Sequence, residues 1–341
     1  MSVSTSASRG WATHVDELSC PDCGGGLTAT GAEEVRDPAI TCQRCHKRFP
    51  VIRGIPHFAT YLQDQAETAS SFGFAWKAFW TGSFDKKSIF GLKTAETKRH
   101  VLSCFGIDER QLSGAKMLDA GTGSGRIPMA LRDAQCVIYG VDIHKSLDLV
   151  KDAIASESVR ICQADLMKLP FEDGSFDFVW SSGVIHHTPN TASAFAALAR
   201  KVKPGGRMFI SVYSIARHHY RVFRHLLPFA PKLPTWATYA LASFIAVPLF
   251  VGFNGILLLV RTTRGNQPPP YSVMGFSIED IEHKSYRSIL LNLFDQLHPK
   301  YQHEHSVEEV AQWFARNGFV DVVPTNVVGM VEMRGVKRSP G

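Results

Sequence analysis

Five short apolar runs, each about the length of a β-strand, follow one another through the middle of the chain. They cover residues 117–120, 137–141, 161–164, 176–180 and 207–213. Strands that are almost continuously apolar are typical of a parallel sheet buried on both faces. The residues between the runs are numerous enough for connecting helices, so the pattern predicts a doubly wound α/β core over residues 115–216.

Glycines and acidic residues stand where these runs end. Gly121, Gly123 and Gly125 follow the first run, Asp142 ends the second, and Asp165 follows the third. A glycine-rich turn between a strand and a helix brings backbone amides close to a ligand. An acidic side chain about twenty residues past the first glycine can accept two ribose hydroxyls. This pattern alone is shared by dinucleotide enzymes, nucleotide-binding proteins and methyltransferases.

Five motifs in order narrow the choice. They are LDAGTGSGR from 118, GVDIHKSL from 140, QADLMKLPF from 163, SFDFVWSSGVIHHTPN from 175 and LARKVKPGGRMFISVY from 198. Together they resemble the class I S-adenosylmethionine-dependent methyltransferases, in particular the branch that contains the ubiquinone and menaquinone methyltransferases. A dehydrogenase shares the glycine turn but leaves the fourth and fifth motifs unexplained. The resemblance implies a Rossmann-like, seven-stranded doubly wound sheet that binds S-adenosyl-L-methionine (SAM).

The resemblance also implies which residues hold this cofactor. Asp119 would lie beside its amino group, Asp142 would take the ribose, and Asp165 would accept from the adenine amino group. The cofactor-binding set is Asp119, Gly121, Thr122, Gly123, Gly125, Asp142, Ile143, Asp165, Leu166 and Ser181. Any one of the three carboxylates could be an ordinary polar strand end, but all three in register favour a cofactor site.

Candidate acceptor-side residues follow the fourth and fifth strands and recur near the C-terminus. His186 and His187 follow the fourth strand, whose C-terminal edge borders the transferable methyl group in this fold. A neutral imidazole could take the proton of a hydroxyl or amine acceptor near neutral pH, which makes His186 the preferred catalytic candidate. Alternatively, one histidine caps a loop and the other packs. The predicted substrate-binding residues are Phe72, Trp76, Tyr213, Asp295, Tyr301 and His303.

An aromatic-rich segment precedes the first strand. Phe72 and Trp76 are four residues apart and therefore share one face of a helix. In the methyltransferase branch that the motifs resemble, helices ahead of the first strand often close over the cofactor. Residues 60–114 are therefore predicted to form a helical lid, although aromatic clusters more often serve packing alone.

The N-terminal part carries two C-x2-C pairs. Cys20 and Cys23 are separated from Cys42 and Cys45 by eighteen residues. Each pair can chelate from a tight turn, and the intervening hairpin brings both pairs to one tetrahedral zinc ion. Residues 15–59 resemble the small zinc-ribbon protein that activates tRNA and protein methyltransferases in trans. We expect a closed structural zinc site with no chemistry at the metal.

A stretch of twenty-eight residues without a charge, 233–260, follows the fifth strand. Its length matches a transmembrane helix, but a single span would separate the later strands from their sheet. Pro248, Gly252 and Asn254 interrupt the stretch, so the pattern predicts a helical hairpin within an inserted cap over residues 217–275. The cap would lie in a membrane interface or cover an apolar acceptor. Packing against its own domain or a dimer partner is the alternative.

Charge is distributed unevenly along the chain. The protein has 341 residues and a net charge of +6, yet ten Lys and Arg residues and no acidic residue lie between Asp177 and Glu279. These cations flank the apolar stretch, which favours an anionic membrane surface or a phosphate-bearing substrate over simple solvation. A nucleic-acid surface would interleave basic residues with exposed aromatics, so nucleic acid is the less favoured partner.

The length allows one sizeable α/β domain with a small appendage. Residues 1–14 are predicted to be a loose tail, because they lack the apolar core of a secretory signal. Seven cysteines, four of them grouped for metal, agree with a reducing compartment. The predicted location is therefore cytoplasmic, and peripheral to the inner face of the membrane if the cap binds lipid. Residues 276–341 are predicted to complete the methyltransferase domain.

The sequence thus predicts a zinc ribbon followed by a class I methyltransferase that transfers a methyl group from SAM to a small hydrophobic or lipid-linked acceptor. Two other functions stay open. One is methylation of RNA or of a protein, which the ribbon and the basic segment suggest. The other is a non-catalytic binding protein that retains the fold.

Overall fold

The computed structural model describes residues 14–30, 38–59, 63–82, 88–89, 92–93, 96–154, 156–216, 229–264, 272–273, 276–277, 285–327 and 329–339. The helices and strands within these ranges are β1 (Leu27–Thr30), β2 (Ala39–Cys42), β3 (Arg48–Ile52), β4 (Ile55–Pro56), α1 (Gln63–Trp80), β5 (Ser88–Ile89), β6 (Leu92–Lys93), α2 (Thr97–Phe105), β7 (Lys116–Ala120), α3 (Arg126–Leu131), β8 (Val137–Asp142), α4 (Leu147–Ile154), β9 (Val159–Gln163), β10 (Phe176–Ser182), α5 (Thr191–Lys201), β11 (Val202–Tyr213), α6 (Thr235–Arg264), β12 (Ser272–Val273), β13 (Phe276–Ser277), α7 (Tyr286–Leu297), α8 (Val307–Arg316), β14 (Phe319–Asn326) and β15 (Met330–Lys337).

Seven strands form the main sheet in the order β14-β15-β11-β10-β7-β8-β9. The five strands from β11 to β9 are parallel to one another, whereas β15 pairs antiparallel with both β11 and β14. This arrangement confirms the predicted seven-stranded, mostly parallel sheet. Asp119 of β7 pairs in register with Gly140 of β8, and Asp142 pairs with Gln163 of β9. The acidic strand ends therefore lie along one edge of the sheet.

Helices cover both faces of this sheet, so alternate residues of each strand enter different cores. Leu118 packs in the cluster that holds Phe195 of α5. Its neighbour Met117 packs in the cluster that holds Phe105 of α2. All four side chains are fully buried, which explains why the central strands are almost uninterrupted apolar runs.

The N-terminal ribbon, strands β1 to β4, is attached to the outer edge of the main sheet. The amide of Phe58 donates to the carbonyl of Gln163 at 2.7 Å, and the amide of Ser19 donates to the carbonyl of Pro170 at 3.0 Å. The Glu17 carboxylate pairs with Arg160 of β9. Apolar residues of the ribbon, including Phe49, join the core of the sheet. The ribbon therefore supports the strand that leads to Asp165.

The apolar segment after β11 is one helix, α6, so the predicted helical hairpin is wrong. Proline within a helix removes a hydrogen bond and costs about 3 kcal/mol or more. Pro248 nevertheless lies inside α6, because the inner face of the helix is buried on both sides of it. Ala242, Ala246 and Phe253 pack in one cluster with residues of α7 such as Leu290.

Part of α6, Thr235–Leu259, is long and apolar enough to cross a membrane by length and composition alone, and 17% of it is buried. A single helix of this kind is weak evidence for a span. Three basic residues assigned to the cap, Arg217, Arg221 and Arg224, lie outside the described residues, as do residues 1–13 of the predicted tail.

Candidate functional site

The glycine-rich turn after β7 is shaped by close neighbours. Gly121 and Gly123 have φ angles of 88° and 54°, a region that favours glycine. A Cβ atom on Gly121 would come within 2.3 Å of Val184, and one on Gly123 within 2.8 Å of the Trp76 ring. Only glycine allows this turn to pass so close to both side chains. Gly125 and Thr122 complete the turn, and Gly125 caps α3.

Asp142 holds this turn against the end of β8. Its carboxylate accepts from the amide of Gly123 at 2.8 Å and from the amide of Ile143 at 2.7 Å. The His144 amide adds a third bond at 3.3 Å. These charge-assisted bonds stabilise the turn and orient the carboxylate. A carboxylate has about four acceptor positions, so Asp142 can also accept hydroxyls from a ligand.

His144 is a buried residue of the site that the sequence did not indicate. Its Nδ1 atom accepts from the Ser146 amide at 3.1 Å, and its Nε2 atom lies 3.2 Å from the Gly123 carbonyl. The Ser146 contact requires an acceptor at Nδ1, so Nε2 carries the proton that is donated to Gly123. His144 thus ties the glycine turn to the segment before α4.

Asp119 is the buried carboxylate of the site. It is 2% exposed, and burial raises its pKa to about 7, partly opposed by the nearby Thr122 hydroxyl and by the Arg126 guanidinium. Among the described residues, its Oδ2 atom and the Ser181 hydroxyl are buried without a hydrogen-bond partner. These atoms belong to neighbouring strands, because Asp119 pairs with Trp180 of β10. Unsatisfied buried polar atoms at a strand edge are suited to a polar ligand.

Arg126 is a second residue that the sequence analysis did not select. It begins α3. Burial lowers its pKa, and the negative charge of Asp119 partly opposes that shift. One of its terminal nitrogens has no partner among the described residues. Its place as the last letter of LDAGTGSGR was the signal that could have identified it.

The turn after β9 carries Asp165. Its Oδ1 atom accepts from the Met167 amide at 2.9 Å. Gln163, the last residue of β9, donates to the Ile143 carbonyl at 2.8 Å and thereby joins the ends of β8 and β9. Leu166, the predicted amide donor, is buried beside them. The structure therefore brings the three acidic strand ends to one edge.

Helix α1 lies across this edge of the sheet. Its Trp76 ring contacts Gly123, and its Phe72 ring lies 5.3 Å from the His187 ring between centroids. The Ser146 hydroxyl donates to the Gly73 carbonyl at 3.1 Å. One helix face thus reaches both the glycine turn and the histidine pair.

The two histidines form a short 3-10 turn, Ile185–His187, after β10. The His186 ring packs against the Tyr213 ring at 3.8 Å between centroids, with the two planes tilted by 32°. His187 donates from Nδ1 to the Tyr301 carbonyl at 2.8 Å. Both histidines are buried.

Tyr213 ends β11 and meets two polar residues of α7. Its hydroxyl donates to Asp295 Oδ2 at 2.9 Å and accepts from Gln296 Nε2 at 3.0 Å. The segment around His303 is held beside it, since the His303 amide donates to the His186 carbonyl at 3.0 Å and the His305 amide donates to the Tyr213 carbonyl at 2.8 Å. Of the predicted substrate-binding residues, Tyr213, Asp295, Tyr301 and His303 therefore lie around the histidine pair, and Gln296 is an addition to them.

The four cysteines of the ribbon converge. Their Sγ atoms all lie within 4.8 Å of one another. The amides of Arg44 and Cys45 each point at Cys42 Sγ at 3.4 Å. Four thiol groups at this spacing suit a tetrahedral soft-metal site.

A comparison with known protein families finds a match in the central sheet. Residues 118–210 match the family model described as "Methyltransferase domain". The match spans β7 to β11 and includes Asp119, Asp142, Asp165 and both histidines.

Curated relatives are methyltransferases. The chain is 32% identical to the demethylmenaquinone methyltransferase of Staphylococcus epidermidis over 114 residues, which cover 32% of this chain and 46% of the relative. It is 31% identical to the ubiquinone biosynthesis O-methyltransferase of Thiobacillus denitrificans over 140 residues, covering 39% of this chain and 60% of the relative. The chain thus spans less than two thirds of the length of these relatives. Together the matches support an enzyme.

A solved structure with a similar chain is the complex between the Haloferax volcanii Trm112 methyltransferase activator and a candidate methyltransferase. The TM-score is 0.48 at 16% identity, with 80% of this chain and 98% of that chain covered.

Proposed function

We propose that this chain is a SAM-dependent methyltransferase that acts on a small apolar or lipid-linked acceptor. The observation that carries the proposal is the convergence of Asp119, Asp142 and Asp165 along one sheet edge, around a glycine turn. The methyltransferase-domain match over the same strands supports it. A dinucleotide enzyme would share the turn and Asp142 but would leave the fourth and fifth sequence motifs unexplained.

The residues at the edge fit this cofactor in charge and in hydrogen bonding. Asp119 would take the ammonium group, because its buried Oδ2 atom has no partner among the described residues. Asp142 would take the ribose hydroxyls with the acceptor positions that the amides of Gly123, Ile143 and His144 leave open. Asp165 and the Leu166 amide would receive the adenine ring edge. The bound cofactor supplies an electrophilic methyl group on a sulfonium centre.

Alignment is the main contribution that the chain would make to methyl transfer. An in-line displacement on a sulfonium depends on holding two reactants in a dry site within a few tenths of an ångström. Phe72 and Trp76 of α1 lie over the edge of the sheet, so this helix would exclude water from the reacting groups. The same aromatic side chains favour an apolar acceptor over a charged one.

Two groups are candidates for the proton of a hydroxyl or amine acceptor. The first is Asp295, whose half-buried carboxylate accepts a hydrogen bond from the Tyr213 hydroxyl. Because this carboxylate is negatively charged, it could receive the proton of the methyl acceptor through Tyr213. His186 lies against the same ring and could act as a general base in its neutral form. If the acceptor is an electron-rich carbon, the base is needed only after methyl transfer.

The ribbon would hold a structural zinc ion. Four converging thiol groups leave no coordination position for a substrate, which is the arrangement of structural rather than catalytic zinc. Because the ribbon joins the sheet at Gln163, its metal would stabilise the strand that precedes Asp165.

The decisive experiment incubates the purified protein with methyl-labelled SAM and a cell lysate, and separates organic, RNA and protein fractions. We expect label in the organic fraction, and none with Asp119→Asn. Label in RNA or protein would move the assignment to the alternative acceptors. Cofactor that binds in calorimetry without transfer to any fraction would support the non-catalytic function, and absence of cofactor binding would overturn the proposal.

A further inference from the structure

The outer face of α6 is an exposed apolar surface, which we define by six side chains. They are Trp236, Phe244, Val247, Val251, Leu258 and Leu259. Trp236 and Phe244 are 73% and 78% exposed. At 100° per residue the six positions fall within an arc of about 140° and extend for about 35 Å along the helix.

We propose that this outer face lies in the interface of an anionic bilayer, with α6 parallel to the membrane plane. The proposal concerns a surface and does not depend on the methyl-transfer chemistry. Two features of the molecule carry it: the packing of the inner face of α6, and the sign of the charges at its two ends.

The inner face of α6 keeps the helix on the protein. Ala242, Ala246 and Phe253 are buried in the cluster formed with α7. The Tyr286 hydroxyl donates to the Ser243 carbonyl at 3.4 Å, and the Phe294 ring of α7 lies 6.1 Å from the Tyr239 ring between centroids. A helix bound along one face in this way presents only its other face to lipid.

The chain topology also excludes a position of α6 across the bilayer. Strand β11 precedes α6 and pairs with β15, which follows it. Both ends of the inserted segment must therefore return to the same side of the bilayer. A peripheral position, with the apolar face entering the headgroup and acyl boundary, satisfies this condition.

Charge selects an anionic bilayer over a second copy of the chain. Lys232 precedes the helix and is exposed, and the sequence places Arg261 and Arg264 at its other end. No acidic residue lies between Asp177 and Glu279. Two copies that paired through this face, in either direction, would bring cationic helix ends together, and the segment between Asp177 and Glu279 supplies no carboxylate to compensate them. Anionic headgroups supply that charge.

The position of α7 links this surface to the acceptor site. Asp295 of α7 hydrogen-bonds to Tyr213, whereas other residues of the same helix pack on α6. Helices α6 and α7 therefore both lie between the membrane face and the candidate acceptor-site residues, a separation of about 20 Å, or two helix diameters. If the proposed function holds, a lipid-linked acceptor could keep its tail in the bilayer while its head reaches Tyr213.

Flotation with vesicles of phosphatidylcholine and phosphatidylglycerol tests the surface. We expect the protein to float with these vesicles, to bind pure phosphatidylcholine more weakly, and to be released by 1 M salt or alkaline carbonate. The double variant Phe244→Glu with Val251→Glu should bind at least about ten-fold more weakly, and Lys232→Ala about five-fold. The matched control, Ile52→Glu with Val323→Glu, changes exposed apolar residues elsewhere and should float like the parent.

Two further measurements keep the outcomes distinct. SAM affinity by calorimetry should be the same for both double variants, so that a failure of cofactor binding counts against the proposed function alone. Analytical ultracentrifugation reports self-association. Any of three results would overturn the proposal. The first is no binding to either vesicle type, and the second is protein that stays on the vesicles in alkaline carbonate. The third is a dimer that the Phe244→Glu with Val251→Glu variant abolishes.

Discussion

The indole ring of Trp76 lies directly over Gly123, so close that a Cβ atom on the glycine would come within 2.8 Å of it. Gly123 also donates its amide to Asp142 and receives the His144 ring at its carbonyl. The lid helix, the glycine turn and the end of β8 therefore meet at one residue. A substitution at Gly123 should therefore affect the lid helix, the glycine turn and the end of β8.

Gly123→Ala is expected to weaken SAM binding about ten-fold or more. A side chain at a φ of 54° costs about 1–2 kcal/mol, and its Cβ atom would also displace Trp76. Calorimetry with SAM measures the loss. Gly174→Ala is the matched control, since Gly174 has a similar φ of 69° but no atom within 4 Å of its Cβ position. Combining Gly123→Ala with Trp76→Ala should recover part of the affinity, and equal effects of the two glycine changes would contradict the role of the contact.

Asp119 should make the ligand-free protein less stable as pH rises. Burial raises its folded-state pKa to about 7, above the ordinary value of 3.8. Between these values the folded chain holds a proton that the unfolded chain has released, so the free energy of unfolding falls by at most about 1.4 kcal/mol per pH unit up to pH 7 and then levels. Thermal melts from pH 4.5 to 8 should show this slope. Asp119→Asn should lose that component, whereas the exposed Asp133→Asn should keep it.

The raised pKa of Asp119 also predicts that a proton is released when the cofactor binds. A cation beside Asp119 favours the ionised form, so binding at pH 6 should expel a fraction of a proton, and the affinity should rise with pH until about 7. Calorimetry in two buffers of different ionisation enthalpy measures the released proton directly. Binding heats that do not depend on the buffer at pH 6 would show that Asp119 does not face the ammonium group.

We expect the stability of the N-terminal ribbon to depend on bound zinc. We expect one zinc ion per chain by elemental analysis, lost in Cys42→Ser, together with a lower melting temperature because metal binding stabilises small domains of this type. Cys136→Ser is the control, since Cys136 is buried in the sheet core away from the four thiols. Zinc content that survives Cys42→Ser unchanged would exclude the cluster as the binding site.

The sheet edge could be predicted from the sequence because its signals are local. An acidic residue after an apolar run marks the end of a strand, and parallel strands bring such ends to one edge. Asp119, Asp142 and Asp165 meet this rule. Phe72 and Trp76 could be paired for a similar reason, since a spacing of four places two side chains on one helix face.

Other features depend on contacts that only the folded chain creates. His144 reaches the carbonyl of Gly123, twenty-one residues earlier, and Gln296 reaches the hydroxyl of Tyr213, eighty-three residues earlier. No local pattern distinguishes these two residues from ordinary polar ones. The hairpin prediction failed for the related reason that Pro248 is a local breaker, whereas the packing of α6 on α7 is a tertiary effect that overrides it.

The proton acceptor can be identified by comparing Tyr213→Phe with His186→Asn. Removing the Tyr213 hydroxyl leaves Asp295 and the buried Gln296 without that partner, so we expect a stability loss of about 1–3 kcal/mol. SAM affinity should stay unchanged in both variants, because neither residue belongs to the predicted cofactor-binding set. If Asp295 receives the acceptor proton through Tyr213, label transfer by Tyr213→Phe and Asp295→Asn should fall about 10²-fold or more while His186→Asn falls much less. The opposite ranking, with a pH profile that changes only in the histidine variant, would assign the base to His186.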